Sequence, residues 1–443
     1  MNKLLFILFL VPIILIGQPQ QIFFSPFIDI SSNSDGYGRP RIVLTSDNSP
    51  LIIWRKDSSP KVLRASKWNG TNFSPPYDIL QAGILPNSWD GPEIAAKGDT
   101  MYVVFTSETT QQNSIMLIKS FDGGLTFSDT IRVSENNPSH RYRMGNVVVN
   151  SSGNPVVSYM QYLLNYMEPK QMVNVSNNFG SSFIGAIEGS VLADGEPCDC
   201  CKASLVSKGD NLFLLFRNND NNERNSFISK STDGGLSFTS TADLDDYDWM
   251  LNSCPATTPR GVVVGDSLII VKRSGATGNN EIVCSSVSIT DLNYSYNNNI
   301  DYVAGAQQDY PEISASNDTI VAVWQDNRNG YQDCYMSISV TGASSLNGSI
   351  LFTDSSSSGQ KTDPHVVYEK GDIHLVYLDY SQHKIVYVKG SFDPISGILN
   401  TTEKSNYLSK VFDLAGKETK KRYNELLFYT NDEGVIQKKI IIE

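Results

Sequence analysis

Seven times along the chain a short segment opens a run of β-forming residues, and a turn and a second apolar run follow. The openings are Arg39-Pro-Arg-Ile-Val43, Gly91-Pro-Glu-Ile-Ala95, Met144-Gly-Asn-Val-Val148, Cys201-Lys-Ala-Ser-Leu205, Pro255-Ala-Thr-Thr-Pro259, Tyr310-Pro-Glu-Ile-Ser314 and Asp363-Pro-His-Val-Val367. Successive openings lie roughly 52–57 residues apart, the period of a unit that cannot bury its apolar faces alone. The second runs, such as Leu51-Ile-Ile-Trp54, Met101-Tyr-Val-Val-Phe105 and Ile320-Val-Ala-Val-Trp324, follow Asp-Asn, Gly-Asp or Asn-Asp pairs that suit hairpin turns. No helix-period pattern of any length competes. Seven such units imply an all-β chain of seven four-stranded blades around one axis, a β-propeller over residues 22–398. Radial repetition leaves few exposed sheet edges. Closing the ring calls for a strand from the N-terminal segment, Gln21-Ile-Phe-Phe24, to complete the last blade.

Two octapeptides fit S-x-D-G-G-x-[ST]-F: Ser120 to Phe127 and Ser231 to Phe238. Asp122 and Asp233 can accept hydrogen bonds from backbone N–H groups just ahead, and the glycine pairs, with Gly124 and Gly235 second, supply positive φ without steric cost. Phe127 and Phe238 are large enough to anchor the turn. Ser176-Asn-Asn-Phe-Gly-Ser-Ser-Phe183 reads as a decayed third copy with Asn178 in place of the aspartate. The pattern resembles the Asp-box, or bacterial neuraminidase repeat, of sialidases and many other β-propellers. In that family the box lies on a strand-connecting hairpin away from the substrate face, so Ser120, Asp122, Ser231 and Asp233 are structural. Sialidases proper have six blades, the alternative to the seven counted here.

A net charge of −12 and a pI near 4.9 argue against a nucleic-acid partner, which would want a basic surface. Residues 1–17, with Lys3 followed by the apolar run Leu4 to Ile16, read as a secretory signal, and no later apolar run is long enough to span a membrane. Six cysteines in an exported chain invite disulfides. Cys198, Cys200 and Cys201 form one cluster and Cys254 stands apart. With no histidine nearby, a disulfide from Cys254 to one of the three is favoured over a thiolate metal site. Neither a metal nor a cofactor is called for.

Two further blocks resemble segments of secreted propellers. Cys198-x-Cys-Cys201, Arg217, Arg224, Asp248-Trp249 and Cys254-Pro255 are similar to a block of bacterial sialidase-like proteins. Trp324-Gln-Asp-Asn-Arg-Asn-Gly330 with Asp333 and Tyr335 resembles W-x-D-x-R-x-G…D-x-Y, in which Asp326 and Arg328 can simply pair to order a loop. From residue 400 the character changes. Val411 to Glu418, Leu426-Leu-Phe-Tyr429 and Lys438-Lys-Ile-Ile-Ile-Glu443 resemble the C-terminal sorting domain of type IX secretion substrates in Bacteroidota, without the usual P-N-P start. That resemblance implies a secreted or cell-surface protein and the type IX machinery as partner.

In an up-and-down blade, the loop entering the inner strand and the loop after the second strand open on one face. Arg39, Arg41, Arg217, Arg224, Arg273 and Arg328 fall there, and a guanidinium fork binds carboxylates in a bidentate way. The sialidase resemblance implies three arginines on a sugar carboxylate, a tyrosine nucleophile activated by a glutamate, and a carboxylic acid for the leaving group. Arg39 or Arg41, Arg217 or Arg224, and Arg273 or Arg328 are the candidates for the arginines, Tyr380 for the nucleophile and Asp90 for the acid. The family's opening R-I-P is scrambled here to Arg39-Pro-Arg-Ile42, and no glutamate presents itself beside Tyr380. Two functions are therefore expected: a sialidase-like protein acting on or binding glycans at this face, with exo-sialidase as the activity if it is an enzyme, or a non-catalytic propeller binding protein or surface partners.

Overall fold

The second apolar run of each repeat is buried on both sides, because it lies mid-sheet with another blade packed on each face. The computed structural model describes residues 22–80, 83–85, 90–108 and 113–392, and the backbone of 410–412, 426–430 and 436–440. The proposed leader, 1–17, lies outside the described residues, as does Gln21. The strands that lie within 38–80, 93–132, 140–188, 204–243, 260–299 and 308–351 form six antiparallel sheets, each with its strands in chain order from the axis outward. The seventh blade has Lys361–Glu369, Asp372–Asp379 and Lys384–Ser391. Its outer place is filled from the N-terminal side: Phe23 pairs with Ser391 and Phe24 with Gly390, then Ile28 with Tyr387 and Asp29 with Val386. Seven blades and the N-terminal closure are thus present. The unit ends at Phe392.

Inner strands touch their neighbours all the way round, the seventh meeting the first. The core is divided accordingly. Among the described residues, seven apolar clusters each lie between two adjacent blades, for example Leu51, Ile53, Met101 and Val103 between the first and second. Ile42, Trp54, Val376 and Tyr387, with Ile30 from the closing segment, fill the seam between seventh and first.

The three S-x-[DN]-x-G-x-[ST]-F segments are hairpins between third and outer strands and share one hydrogen-bond pattern. Gly124 N–H donates to Ser120 Oγ at 2.9 Å and Thr126 N–H to Asp122 Oδ1 at 3.0 Å. Gly235 and Ser237 repeat these bonds on Ser231 and Asp233, and Gly180 and Ser182 repeat them on Ser176 and Asn178. Slight burial opposes ionisation of Asp122, yet the Thr126 and Ser120 groups hold its carboxyl at about 2. Gly124 has φ of 85°, and a Cβ there would come within 2.7 Å of Leu51 Cδ2, so the hairpin seats tightly on the preceding blade. Phe127, Phe183 and Phe238 pack into inter-blade clusters.

A disulfide joins Cys200, in the segment entering the fourth blade, to Cys254, in the segment entering the fifth. Closing this loop stabilises the fold chiefly by restricting the unfolded chain. Among the described residues no helix is long and apolar enough to cross a membrane. The second unit contains an antiparallel sheet of Lys410–Phe412, Leu426–Thr430 and Ile436–Ile440.

Candidate functional site

Each inner strand places one residue at the same register against its second strand: Arg41, Glu93, Asn146, Ser204, Arg260, Glu312 and His365. Around a narrow axis these side chains converge. Arg41 donates from Nε and Nη2 to Glu93 at 3.1 Å each and lies 3.7 Å from Glu312. Arg260 reaches both Glu93 and Glu312 at 3.0 Å, and Lys202 adds a bond to Glu93 at 3.2 Å. The contacts cross the axis, linking the first blade to the sixth and the second to the fifth. All five groups are nearly removed from solvent, Glu93 being 4% exposed.

Burial alone would raise the Glu93 pKa, but Arg260, Arg41 and Lys202 hold it well below the usual carboxylate range. Glu312 has fewer cations close by, and burial leaves its pKa raised. Burial likewise keeps His365 neutral, and its Nδ1 accepts the Ile42 N–H at 3.4 Å.

Above this plug the inner strands of the first, third, sixth and seventh blades carry bulges, each with a non-glycine residue at positive φ: Arg39, Met144, Tyr310 and Asp363. A bulge bends its strand and re-aims the side chain. Three of the four meet: Arg39 pairs with Asp363 at 3.3 Å and lies over the Tyr310 ring at 4.6 Å. The space left among them and Arg41 and Arg260 is about 20 Å³. That is room for a water, not a sugar.

The other rim arginines are also engaged from within. Arg217 donates to the Arg224 and Arg273 carbonyls, and the Arg217 and Arg273 guanidiniums lie 4.9 and 5.4 Å from the ring of Trp249. Arg273 pairs with Asp309 at 2.6 Å, while Arg224 donates to the Leu251 carbonyl and Cys198 Sγ. Arg328 pairs with Asp326 and Asp301 and covers the Tyr335 ring at 4.1 Å, so the W-x-D-x-R motif is a packing device. Asp90 is buried, with Oδ2 accepting from the Thr106 hydroxyl and the Met144 N–H. Tyr380 is 55% exposed and sits in an aromatic group with Tyr37 and His383. Among the described residues no carboxylate bonds its hydroxyl. Of these candidates Arg39 and Arg41 line the small axial space, whereas Arg217, Arg224, Arg273, Arg328, Asp90 and Tyr380 lie outside its lining.

Open space on the entry-loop face lies instead in two grooves, one of about 490 Å³ where Asp29 to Asp35 meet Gln382 and Lys384 and one of about 310 Å³ at the rim of the fifth blade; only the second is lined by exposed aromatic side chains. Tyr247 and Tyr302 flank it at 72% and 62% exposure. Asp246, Thr277, Glu281, Asn297 and Asn299 supply its polar lining, held by mutual bonds such as Asn297 Nδ2 to Asp246 Oδ2 at 2.6 Å. No cationic side chain lines it among the described residues. The sequence reading did not single out this groove, nor Glu93, Glu312, Arg260 and Lys202. A signal for three of the latter existed, though not for Lys202, which follows Cys201: a charged residue recurs directly after proline in Pro40-Arg41, Pro92-Glu93, Pro259-Arg260 and Pro311-Glu312.

The sulfurs of Cys198, Cys200, Cys201 and Cys254 lie within 4.8 Å of one another. Two are consumed in the disulfide, which leaves two thiols where a closed tetrahedral metal site takes four ligands.

No protein-family model matches the chain, and no curated protein matches it. Among solved structures, the Trypanosoma rangeli sialidase in complex with the inhibitor DANA is similar over 80% of this chain and 55% of that one, at 10% identity and a TM-score of 0.47. This chain spans about half the length of the trypanosomal enzyme. The NanB sialidase from Streptococcus pneumoniae is similar over 75% of this chain and 69% of that one, at 11% identity and a TM-score of 0.45.

Proposed function

We propose that this chain is an exported, sialidase-like β-propeller that binds glycans on its entry-loop face without hydrolysing them. The observation that carries the reading is the contrast between the axis and the rim. At the axis, where a carboxylate sugar would need free guanidiniums, Arg39, Arg41 and Arg260 already hold the chain's own carboxylates. At the rim, two exposed tyrosines stand beside carboxylates and amides in an open groove. Aromatic faces stack on the C–H faces of sugars, while planar polar groups order hydroxyls. With acids and no cation lining it, the groove suits a neutral or amino-bearing glycan over a sialic acid.

The test is a glycan array with the purified protein, run beside a fluorogenic sialoside assay. Binding to neutral or amino-bearing glycans with no release of fluorophore is expected, and Tyr302→Ala should weaken binding about tenfold by removing an exposed stacking face. Release of fluorophore at a rate that scales with protein and survives repurification overturns the non-catalytic reading. Binding confined to sialylated glycans overturns the assignment to the groove.

The same reading extends to location. The signal-like residues 1–17 and the sorting-domain resemblance of the C-terminal segment support passage across both membranes of a Gram-negative cell. Removing residues 411–443 in the native host is expected to leave the propeller in the periplasm. Fractionation with immunoblotting reads this directly, and undiminished extracellular protein rules out the sorting role.

A further inference from the structure

The cysteine cluster carries an inference that the binding reading does not touch. Cys198 and Cys201 are fully buried, Cys200 is partly buried, and Cys254 is exposed. A tight turn, with Cys201 N–H donating to the Cys198 carbonyl at 3.0 Å, brings the two buried sulfurs to 2.7 Å. Cys198 Sγ also lies 3.5 Å from Cys200 Sγ, one end of the disulfide. We propose that Cys198 and Cys201 are a buried dithiol–disulfide couple that exchanges electrons with solution through the Cys200–Cys254 bridge.

The surroundings divide the roles. The Cys201 thiol donates to Cys198 Sγ and, against the opposing effect of burial, lowers the Cys198 pKa; Arg224, whose Nη1 stands 3.4 Å from that sulfur, and Arg217 add smaller contributions in the same direction. Burial and the neighbouring Cys198 push the Cys201 thiol up, which keeps it protonated until its turn comes. Thiolate, not thiol, attacks a disulfide.

In the first step the Cys198 thiolate attacks Cys200 Sγ. A Cys198–Cys200 bond forms, the Cys200–Cys254 bond breaks, and the electron pair leaves on Cys254, where solvent can hydrate it. Cys201 then gives its proton to the Cys254 thiolate or to water and attacks Cys198 Sγ. The Cys198–Cys201 bond forms and Cys200 departs as a thiolate. An external small-molecule disulfide re-closes Cys200 and Cys254 by the same exchange and becomes two thiols. The sum is one buried dithiol oxidised and one external disulfide reduced, and an external thiol drives the cycle in reverse. Direct attack on the inner pair by a bulky reagent is blocked because neither sulfur reaches the surface.

The test uses full-length protein in glutathione buffers, with acid quenching, alkylation and mass mapping of each cysteine. Cys198, Cys201, Cys284 and Cys334 are the free thiols of the starting state. In oxidised glutathione the first two are expected to close while Cys284 and Cys334 stay alkylatable. In the Cys200→Ser/Cys254→Ser variant, closure should slow at least about tenfold, since access and not intrinsic reactivity then limits exchange. A melting profile confirms that this variant is folded. Cys201→Ser gives an independent readout: it should trap the Cys198–Cys200 bridge with Cys254 labelled. Three results overturn the proposal: Cys198 and Cys201 remaining thiols in fully oxidised buffer, equal closure rates with and without the outer pair, or one equivalent of tightly bound metal that blocks alkylation of all four sulfurs.

Discussion

Glu93→Gln is expected to destabilise the propeller by about 3–5 kcal/mol, the range for removing one member of a buried ion network. The carboxylate answers three cations, Arg41, Arg260 and Lys202, none with much access to water. Glutamine keeps the shape and loses the charge, so those cations remain buried with Glu312 and Asp90 as their remaining close carboxylates and Asp363 farther off. Urea denaturation of the two proteins at neutral pH measures the difference. A loss under about 1 kcal/mol, the worth of an exposed pair, would mean that water reaches the axis.

The same pair of proteins yields a pH test. The folded pKa of Glu93 is depressed, so its contribution is complete above the unfolded carboxylate value of about 4.3 and is lost as pH falls toward the folded value. The gap between wild type and Glu93→Gln should therefore narrow in acid. Glu312 runs the other way: its folded pKa is raised, so its contribution is complete at low pH and lost as pH rises through that value. Arg41→Met combined with Glu93→Gln should cost less than the sum of the single changes, because the two share one interaction.

The second large effect concerns ring closure. A chain beginning at residue 31 instead of residue 22 lacks both segments that complete the seventh blade. It forfeits the backbone bonds of Ser25 and Ile30 to Lys389 and Ile385, each at 2.8 Å. It also strips Ile22, Phe24, Ile28 and Ile30 from two inter-blade clusters. At about 1.5–3 kcal/mol for each fully buried large apolar side chain, and less for the partly buried ones, the loss is on the order of 5 kcal/mol. That approaches the whole stability of many domains. The shortened chain is expected to lose its cooperative melt or to associate through the bared edge of Lys384–Ser391. A peptide of residues 22–31 added in trans should restore the monomer by strand addition. Size-exclusion chromatography and circular dichroism report both outcomes, and an unaltered melt of a monomer would refute the closure role.

How much of this was legible beforehand depends on the range of the interaction. The blades were, because a strand, a turn such as Gly98-Asp99 and a second strand are local and recur at a steady period. The hairpins at Asp122 and Asp233 were too, since Ser120 and Thr126 meet the aspartate within four residues. Even the link from Cys254 to the Cys198 cluster followed from having few partners to choose from. The axial network was not legible. Glu93 and Arg260 are 167 residues apart and meet only because seven strands converge on one line. Nor can residue type tell a guanidinium that awaits a ligand from one satisfied internally. Arg273 reads as a rim arginine in sequence, yet Asp309, 36 residues on, already holds it.

The seven inter-blade clusters have a mechanical implication. Each joins only neighbours, so on apolar packing alone the molecule would behave as a bent one-dimensional stack, free to melt segment by segment. The Arg41–Glu93–Arg260–Glu312 contacts act as the hub of a wheel, tying the first sector to the sixth and the second to the fifth. A hub couples the fate of sectors that never touch at the rim. Loosening one sector tugs on its opposite number, and a necklace of separate cores acquires the all-or-none character of a single body.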